Sequence, residues 1–396
     1  MEAKLFWILL VVVFLLMAQD FCLAQGQIDF NFIGAGARAR GMGGAFIGGA
    51  DDATAASWNP AGLVYLEKPE ASAVYVYSSV FQTIDDEAVE DLGLSHGYIN
   101  FVSAALPLSI GDRNVVGCIA YQRVIDLFNK QDVTLSNGTY ETNQKGGVDA
   151  VSPSLGIQVS PQLSLGLALN IYIGGTTTKW TSWDTDREIE APKETYSGSN
   201  MSLGGILDLG MYRVGAVYKT PYTLKAERDQ RLGVGDLIDF YDYEFEMKMP
   251  GMLGIGVMVE PTSNLRLAAD YELRSFSNFE SRFKGNDFEK PDPEFLDVNQ
   301  FRLGAEYLLM FGNKIIPLRL GLKTEPKQYK DANDDQVMGA ALTMGLGLVS
   351  QNFSLSAALE FSATTLKLID PVYFYESEVT TSQLNLMVSG IFYFGN

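Results

Sequence analysis

From Glu70 onward, apolar and polar side chains alternate at period two, and clusters of turn-forming residues cut the alternation into about fourteen runs. The first run is Ala71–Val80 and the last is Ser382–Phe394; Tyr212–Pro221 and Tyr243–Val259 lie near the middle. Short turns fall at 111–114, 160–162, around Gly210, and at 261–264, 311–313 and 350–352. Long polar connections fall between them, near 81–97, 128–147, 180–200, 222–242, 277–297, 325–336 and 367–381. This strict alternation of short and long is what a barrel crossing a membrane requires, with tight turns at one end and long loops at the other. A soluble sandwich would mix loop lengths at both ends. The runs reach the roughly 9–11 residues of a tilted spanning strand. Strand edges cannot stay open in lipid, so the strands must close. The expected fold is all-β: a transmembrane antiparallel β-barrel of about 14 strands over residues 70–396, with both mature ends on the short-turn side.

The last run shows the facing. Leu384, Leu386, Val388, Gly390, Phe392 and Phe394 share one face, which should meet lipid, and Asn385, Met387, Ser389, Ile391 and Tyr393 share the other. Leu163, Leu165, Leu167 and Leu169 likewise oppose Ser164, Gly166, Ala168 and Asn170. Small inward residues leave space in a lumen already too wide for its own side chains to fill.

Upstream, Lys4 precedes an apolar run from Leu5 to Met17, and Cys22-Leu23-Ala24 offers small residues where a signal peptidase reads. Residues 1–24 are read as a cleaved export signal. Export places the barrel in the outer membrane of a Gram-negative-type bacterium. The mature chain keeps a single cysteine, Cys118, so no internal disulfide is available. The net charge of −19 argues against nucleic acid, which needs clustered Lys and Arg. The acids gather in expected loops, at Asp85–Asp91, Asp184–Glu190 and Asp331–Asp335.

Between the signal and the strands lies GAGARARGMGGAFIGGADDATAASWNPAGL, Gly34 to Leu63. Gly and Ala give strands no branched surface to pack, but they let backbone pass close to backbone. Asp51 or Asp52 is positioned to cap a short helix over Ala53–Trp58, and Asn59-Pro60 to end it. The segment has too little core to stand alone, so residues 25–69 are expected to form a plug inside the barrel. A phosphate-binding loop is disfavoured: Ala39 takes the third glycine's place, and no βαβ pattern surrounds it.

The run RARGMGGAF…ADDATAASWNPAGL, with Asn59-Pro60-Ala61, resembles the N-terminal hatch of the FadL/TodX family of outer-membrane long-chain fatty-acid and hydrocarbon transporters. The resemblance covers about thirty residues, and it also fits the barrel that serves as a shuttle in type IX secretion. It implies a passive uptake channel for hydrophobic small molecules, a fatty acid or hydrocarbon as ligand, outer-membrane lipid around it, and a hatch comprising Arg38, Arg40, Gly41, Gly43, Gly44, Phe46, Asn59, Pro60 and Ala61. Phe394 resembles the terminal aromatic that the barrel-assembly machinery reads during insertion. The alternatives from another class are a protein-interaction barrel and a purely structural one.

Little in the chain suggests an enzyme, a cofactor or a metal. The one histidine, His96, leaves no material for a Ser-His-Asp triad, and it is expected to be a solvated loop residue. Asp331, Asn333 and Asp335 start like a calcium loop, but Gln336 and Leu342 stand where Gly and Glu are needed. Three long loops are unusually apolar. The first carries Phe81 and Ile84, the fourth Leu232 to Tyr241, and the fifth Phe279 and Phe283. Phe81, Ile84, Phe279 and Phe283 are the candidate capture residues, the last two on one face if their loop turns helical. Arg38 and Arg40 need carboxylate partners, which Asp51 or Asp52 would supply, or else hold a fatty-acid head group.

Overall fold

The computed structural model describes residues 34–84, 92–111, 113–135, 138–183, 188–190, 193–228, 243–291, 293–369 and 376–395. Residues 1–24, read above as an export signal, residues 25–33 and the apolar stretch of the fourth loop lie outside them. Fourteen strands wind into a closed antiparallel barrel. They are β1 (Glu70–Ile84), β2 (Leu92–Ile110), β3 (Arg113–Asp126), β4 (Gly138–Gln158), β5 (Leu163–Ser182) and β6 (Glu194–Asp208). Two strands then run in two pieces each, β7 (Tyr212–Lys219, Tyr222–Arg228) and β8 (Tyr243–Met249, Met252–Thr262). The remainder are β9 (Leu265–Arg274), β10 (Val298–Phe311), β11 (Lys314–Lys330), β12 (Gln336–Val349), β13 (Phe353–Ile369) and β14 (Glu376–Tyr393). Closure is made by β14 pairing with β1, from Glu70 opposite Tyr393 to Ile84 opposite Val379.

The alternation sets the two faces. Leu384, Leu386, Val388, Phe392 and Phe394 are exposed, while Asn385, Met387, Ser389 and Ile391 are buried. On β5, Leu163, Leu165, Leu167 and Leu169 point out, and Ser164 and Ala168 point in. No helix among the described residues is long and apolar enough to cross a membrane, so the outward apolar band belongs to strands.

Several strands extend past the predicted limits into the long connections. β7 resumes at Tyr222 after the break at Thr220-Pro221, and Glu280–Phe283 pairs with the upper piece of β8. Asn129–Leu135 forms a hairpin with the start of β4. Polar sequence in these places hid backbone that still finds ladder partners above the apolar band. His96 therefore lies on β2 rather than in a solvated loop. It hydrogen-bonds Asp126 and stacks between Phe128 and Tyr98, with ring centroids 4.1 and 5.4 Å away.

Candidate functional site

Residues 34–66 cross the lumen as two short helices, α1 (Ala37–Gly41) and α2 (Ala55–Trp58), followed by a 3-10 turn over Pro60–Tyr65. The N-cap of α2 is Thr54, and Asp52 instead accepts from the Thr54 N–H at 2.9 Å. Asn59 is extended and ends α2, as expected before a proline.

The backbone of the hatch lies directly on the wall at inward-facing glycines. A Cβ on Gly166 of β5 would come within 2.1 Å of Pro60 C and Ala61 N, and one on Gly204 of β6 within 2.1 Å of Asn59 Oδ1. Further round, a Cβ on Gly215 would meet Ile47 O at 2.3 Å, one on Gly304 would meet Met42 O at 2.5 Å, and one on Gly321 would meet Gly43 N at 2.0 Å. Gly43 has φ +67°, so it needs glycine for its own conformation as well as for the approach to β10 and β11. Gly41 lies against Gly345 of β12, and Gly44 against Trp58 and Arg302.

Hydrogen bonds fix this register. The Asn59 amide donates to the carbonyls of Ile47 (3.0 Å) and Gly205 (3.2 Å), and its Oδ1 accepts from Ala61 N–H at 3.2 Å. Thr343 Oγ1 accepts from Gly43 N–H (2.9 Å) and donates to Gly41 O (3.1 Å). Asp270 Oδ2 accepts from the N–H groups of Phe46 and Ile47 at 2.7 and 2.9 Å. Phe46 meets Trp58 edge-on, centroids 6.1 Å apart, and the Trp58 indole donates to Ala35 O at 2.7 Å. Trp58, Leu63 and Leu66 pack with Val74, Phe101, Val116 and Cys118 of the wall.

The two arginines find different partners. Arg38 pairs with Asp51, with Asp52 at 3.6 Å and with Glu306 at 3.4 Å. Arg40 pairs with Glu360 of β13 at 3.2 Å rather than with either predicted aspartate, because α1 turns it toward β13. Burial works against the charge on Asp51, but Arg38, Arg213 and Arg266 overcome it and hold its carboxyl below the usual range. Burial raises Asp52, and the neighbouring Asp51 adds to the rise.

Space remains on both sides of the hatch. On the long-loop side is a chamber with room of about 50 Å³, bordered by Tyr172, Lys219, Tyr222, Met249, Arg274 and Phe276. Above it Ile125, Val148, Leu224, Phe276, Phe279 and Val298 form an apolar cluster. Lys219 Nζ donates to Ser57 O at 3.1 Å, and Arg274 pairs with Glu272 at 2.7 Å. On the short-turn side is a polar vestibule of about 400 Å³, bordered by Arg38, Asp51, Glu70, Arg266, Glu306 and Arg319.

The predicted capture residues do not form one surface. A 3-10 turn, Phe276–Asn278, leads into the strand Glu280–Phe283, so the expected helical face does not exist; partner strand β8 offers a ladder that a helix would forgo. Phe279 is buried against Phe295, centroids 5.1 Å apart, while Phe283 is exposed beside Phe245 at 5.0 Å. Phe81 is 53% exposed and shares the outer face of β1 with Tyr75 and Tyr77, so it points away from the lumen. The Ile84 side chain is outside the described residues. The sequence placed Gly166 on the inner face, but not Gly204, Gly215, Gly304 or Gly321, nor Lys219 and Arg274, although an inward glycine recurring from strand to strand is a signal that could have been read.

A model of the BamG family matches residues 8–366. No curated protein matches the chain in sequence. Among solved structures, the CymD monoaromatic hydrocarbon channel aligns with a TM-score of 0.60 at 17% identity, over 93% of this chain and 99% of that one. A Pseudomonas aeruginosa FadL homologue aligns with a TM-score of 0.65 at 13% identity, over 92% and 100%. The P. putida toluene transporter TodX gives 0.65 at 15% identity, over 92% and 100%. The likeness first read in the hatch thus extends to the whole fold.

Proposed function

The chain belongs to the BamG family, and with the fold described above as premise we propose that it is an outer-membrane channel for passive uptake of hydrophobic small molecules, long-chain fatty acids or hydrocarbons. The observation that carries this reading is the amphipathic chamber over the hatch, with an apolar roof and two cations, Lys219 and Arg274, at its floor. CymD and TodX, whose fold this chain shares, are named for monoaromatic hydrocarbon and toluene passage. A neutral hydrocarbon has no use for two buried cations, whereas a carboxylate head group does. Arg38, Arg40 and Arg274 already have carboxylate partners, so the head group falls to Lys219, which donates to the Ser57 carbonyl, and the two hatch arginines hold the hatch. Phe283 at the outer rim is the first contact, Phe279 is part of the roof, and Gly41, Gly43 and Gly44 let the hatch shift.

Energy comes from apolar burial, at about 25 cal/mol for each Å² removed from water, and from removal of the cargo downstream. No catalytic role is assigned to any residue. Residues 1–24 direct export and are cleaved, residues 25–69 are the hatch, and the barrel-assembly machinery inserts the remainder into a Gram-negative-type outer membrane.

The test is lipid extraction and mass spectrometry of the purified chain, followed by binding of a long-chain fatty acid and of the matching alkane. Lys219→Gln is expected to weaken the acid by about tenfold, the worth of one charged hydrogen bond, and to leave the alkane unchanged. Absence of any co-purified lipid together with no binding of either probe overturns the reading. The alternative reading is a protein-interaction barrel. That reading gains if the purified chain proves empty yet retains a protein partner.

A further inference from the structure

Four adjacent strands each contribute one charged side chain near their short-turn ends, and the signs alternate: Arg213 on β7, Glu260 on β8, Arg266 on β9 and Glu306 on β10. Arg213 reaches Glu260 at 2.9 Å, Glu260 reaches Arg266 at 3.2 Å, and Arg266 reaches Glu306 at 2.9 Å. The two ends of this row are joined by the hatch. Glu306 meets Arg38 at 3.4 Å, Arg38 pairs with Asp51, and Asp51 meets Arg213 at 3.5 Å. The result is a closed ring of six alternating charges, three of each sign, in which the hatch supplies two adjacent members. Arg319 backs the ring through Glu306 at 2.7 Å.

We propose that this ring is the catch of the hatch: closure is maintained by Arg38 and Asp51 completing the row of wall charges, and the channel opens when they leave it. Other anchors stand apart from the ring: Thr343, Asp270 and Asn59 bond hatch backbone, and Arg40 pairs with Glu360 of β13. The ring differs because each member has an opposite charge on both sides, so removing one leaves two others with a single partner in the ring and weakens the whole. It also borders the vestibule, which Arg38, Asp51, Arg266 and Glu306 line on the short-turn side. Side-chain exposures of 33% at Glu260 and 26% at Arg266 let salt reach it. At about 0.1 M salt charges act over roughly 10 Å, and at about 1 M over roughly 3 Å, so high salt weakens the catch. The catch is independent of what the cargo is, and its failure would leave the proposed function standing.

The test is ionic current through the purified full chain in planar bilayers, with heat-modifiable gel mobility as the check of folding. The wild type is expected to be closed at low salt, with an open-to-closed ratio that rises as salt is raised. Asp51→Asn and Arg213→Gln should each raise that ratio at low salt by about tenfold and remove its salt dependence. Lys248→Gln, which breaks a pair with Glu280 far from the ring, should leave both unchanged. Arg266→Gln is the milder variant should either of the first two fail to fold, and it should raise the ratio in the same direction. Folded Asp51→Asn, Arg213→Gln or Arg266→Gln that stays as closed as the wild type overturns the catch, as does a wild-type ratio indifferent to salt.

Discussion

Along β2–β6 the wall meets the hatch with small neutral side chains, among them Ser103, Ala105, Val116, Ser154, Gly166, Ala168 and Gly204. Along β7–β13 it meets the hatch with charges, including Arg213, Asp270, Arg302, Glu306, Arg319, Lys323 and Glu360, nearly all buried. The first arc holds by fit, with the Asn59-Pro60-Ala61 turn lying on glycine backbone. The second adds charge to fit: hatch backbone also lies on Gly215, Gly304 and Gly321, and Arg38 and Arg40 pair with the wall acids Glu306 and Glu360. Fit does not depend on ionic conditions, and it fails when volume is added. Charge tolerates volume but fails when a partner is removed, and where solvent reaches it, it weakens in salt.

The largest effect expected is in the neutral arc. Gly166→Val would place a branched side chain where a single Cβ already lies 2.1 Å from hatch backbone at Pro60-Ala61, which has no flexible side-chain end to yield. The hatch should not seat at all, and protease added from the short-turn side should cut it completely. The matching loss in the charged arc is Glu360→Gln, which leaves Arg40 and Lys323 buried beside a neutral amide. It should cost about 3–5 kcal/mol, read as a fall in the temperature of heat-modifiable unfolding. If the cost is under about 1 kcal/mol, the charged arc is ornamental and the comparison breaks.

Asn59→Ala is smaller. It leaves the carbonyls of Ile47 and Gly205 without the amide and should cost about 1–3 kcal/mol, the same at low and high salt. A salt-dependent loss would mean that the two arcs are coupled. Gly117→Ala sharpens the contrast, because a Cβ there meets nothing within 4 Å. Its effect on stability should lie within about 0.5 kcal/mol, so that glycine as such is not the cause at Gly166. Phe283→Ser, exposed at the rim, should also stay within about 0.5 kcal/mol yet slow uptake at limiting substrate. Unchanged uptake would remove Phe283 from the capture surface.

The barrel was legible because lipid leaves the backbone few choices. Period-two patterning of Leu384 to Phe394 and of Leu163 to Asn170 fixed which side faced out, and the short and long connections fixed closure. The hatch stretch was legible as chain that must lie against other chain, since Gly and Ala permit close approach and offer no core. Pairing was legible only in part: Arg38 found Asp51, but Arg40 found Glu360, which is 320 residues away and gives no local sign. Phe279 and Phe283 look alike at helical spacing, and only the neighbouring strand Tyr243–Met249 decided that Phe283 ends a strand with its ring exposed while Phe279, at the end of the preceding 3-10 turn, is buried.

By itself, then, the sequence determined strand number, facing and closure, because these follow from residue types repeated at the period of a strand in lipid. Which wall glycine receives which hatch carbonyl, and that four strands align Arg213, Glu260, Arg266 and Glu306 into a row that Arg38 and Asp51 complete, was decided only by tertiary structure. Those facts depend on the stagger between neighbouring strands, and stagger is set by the closed sheet as a whole rather than by any strand's own residues.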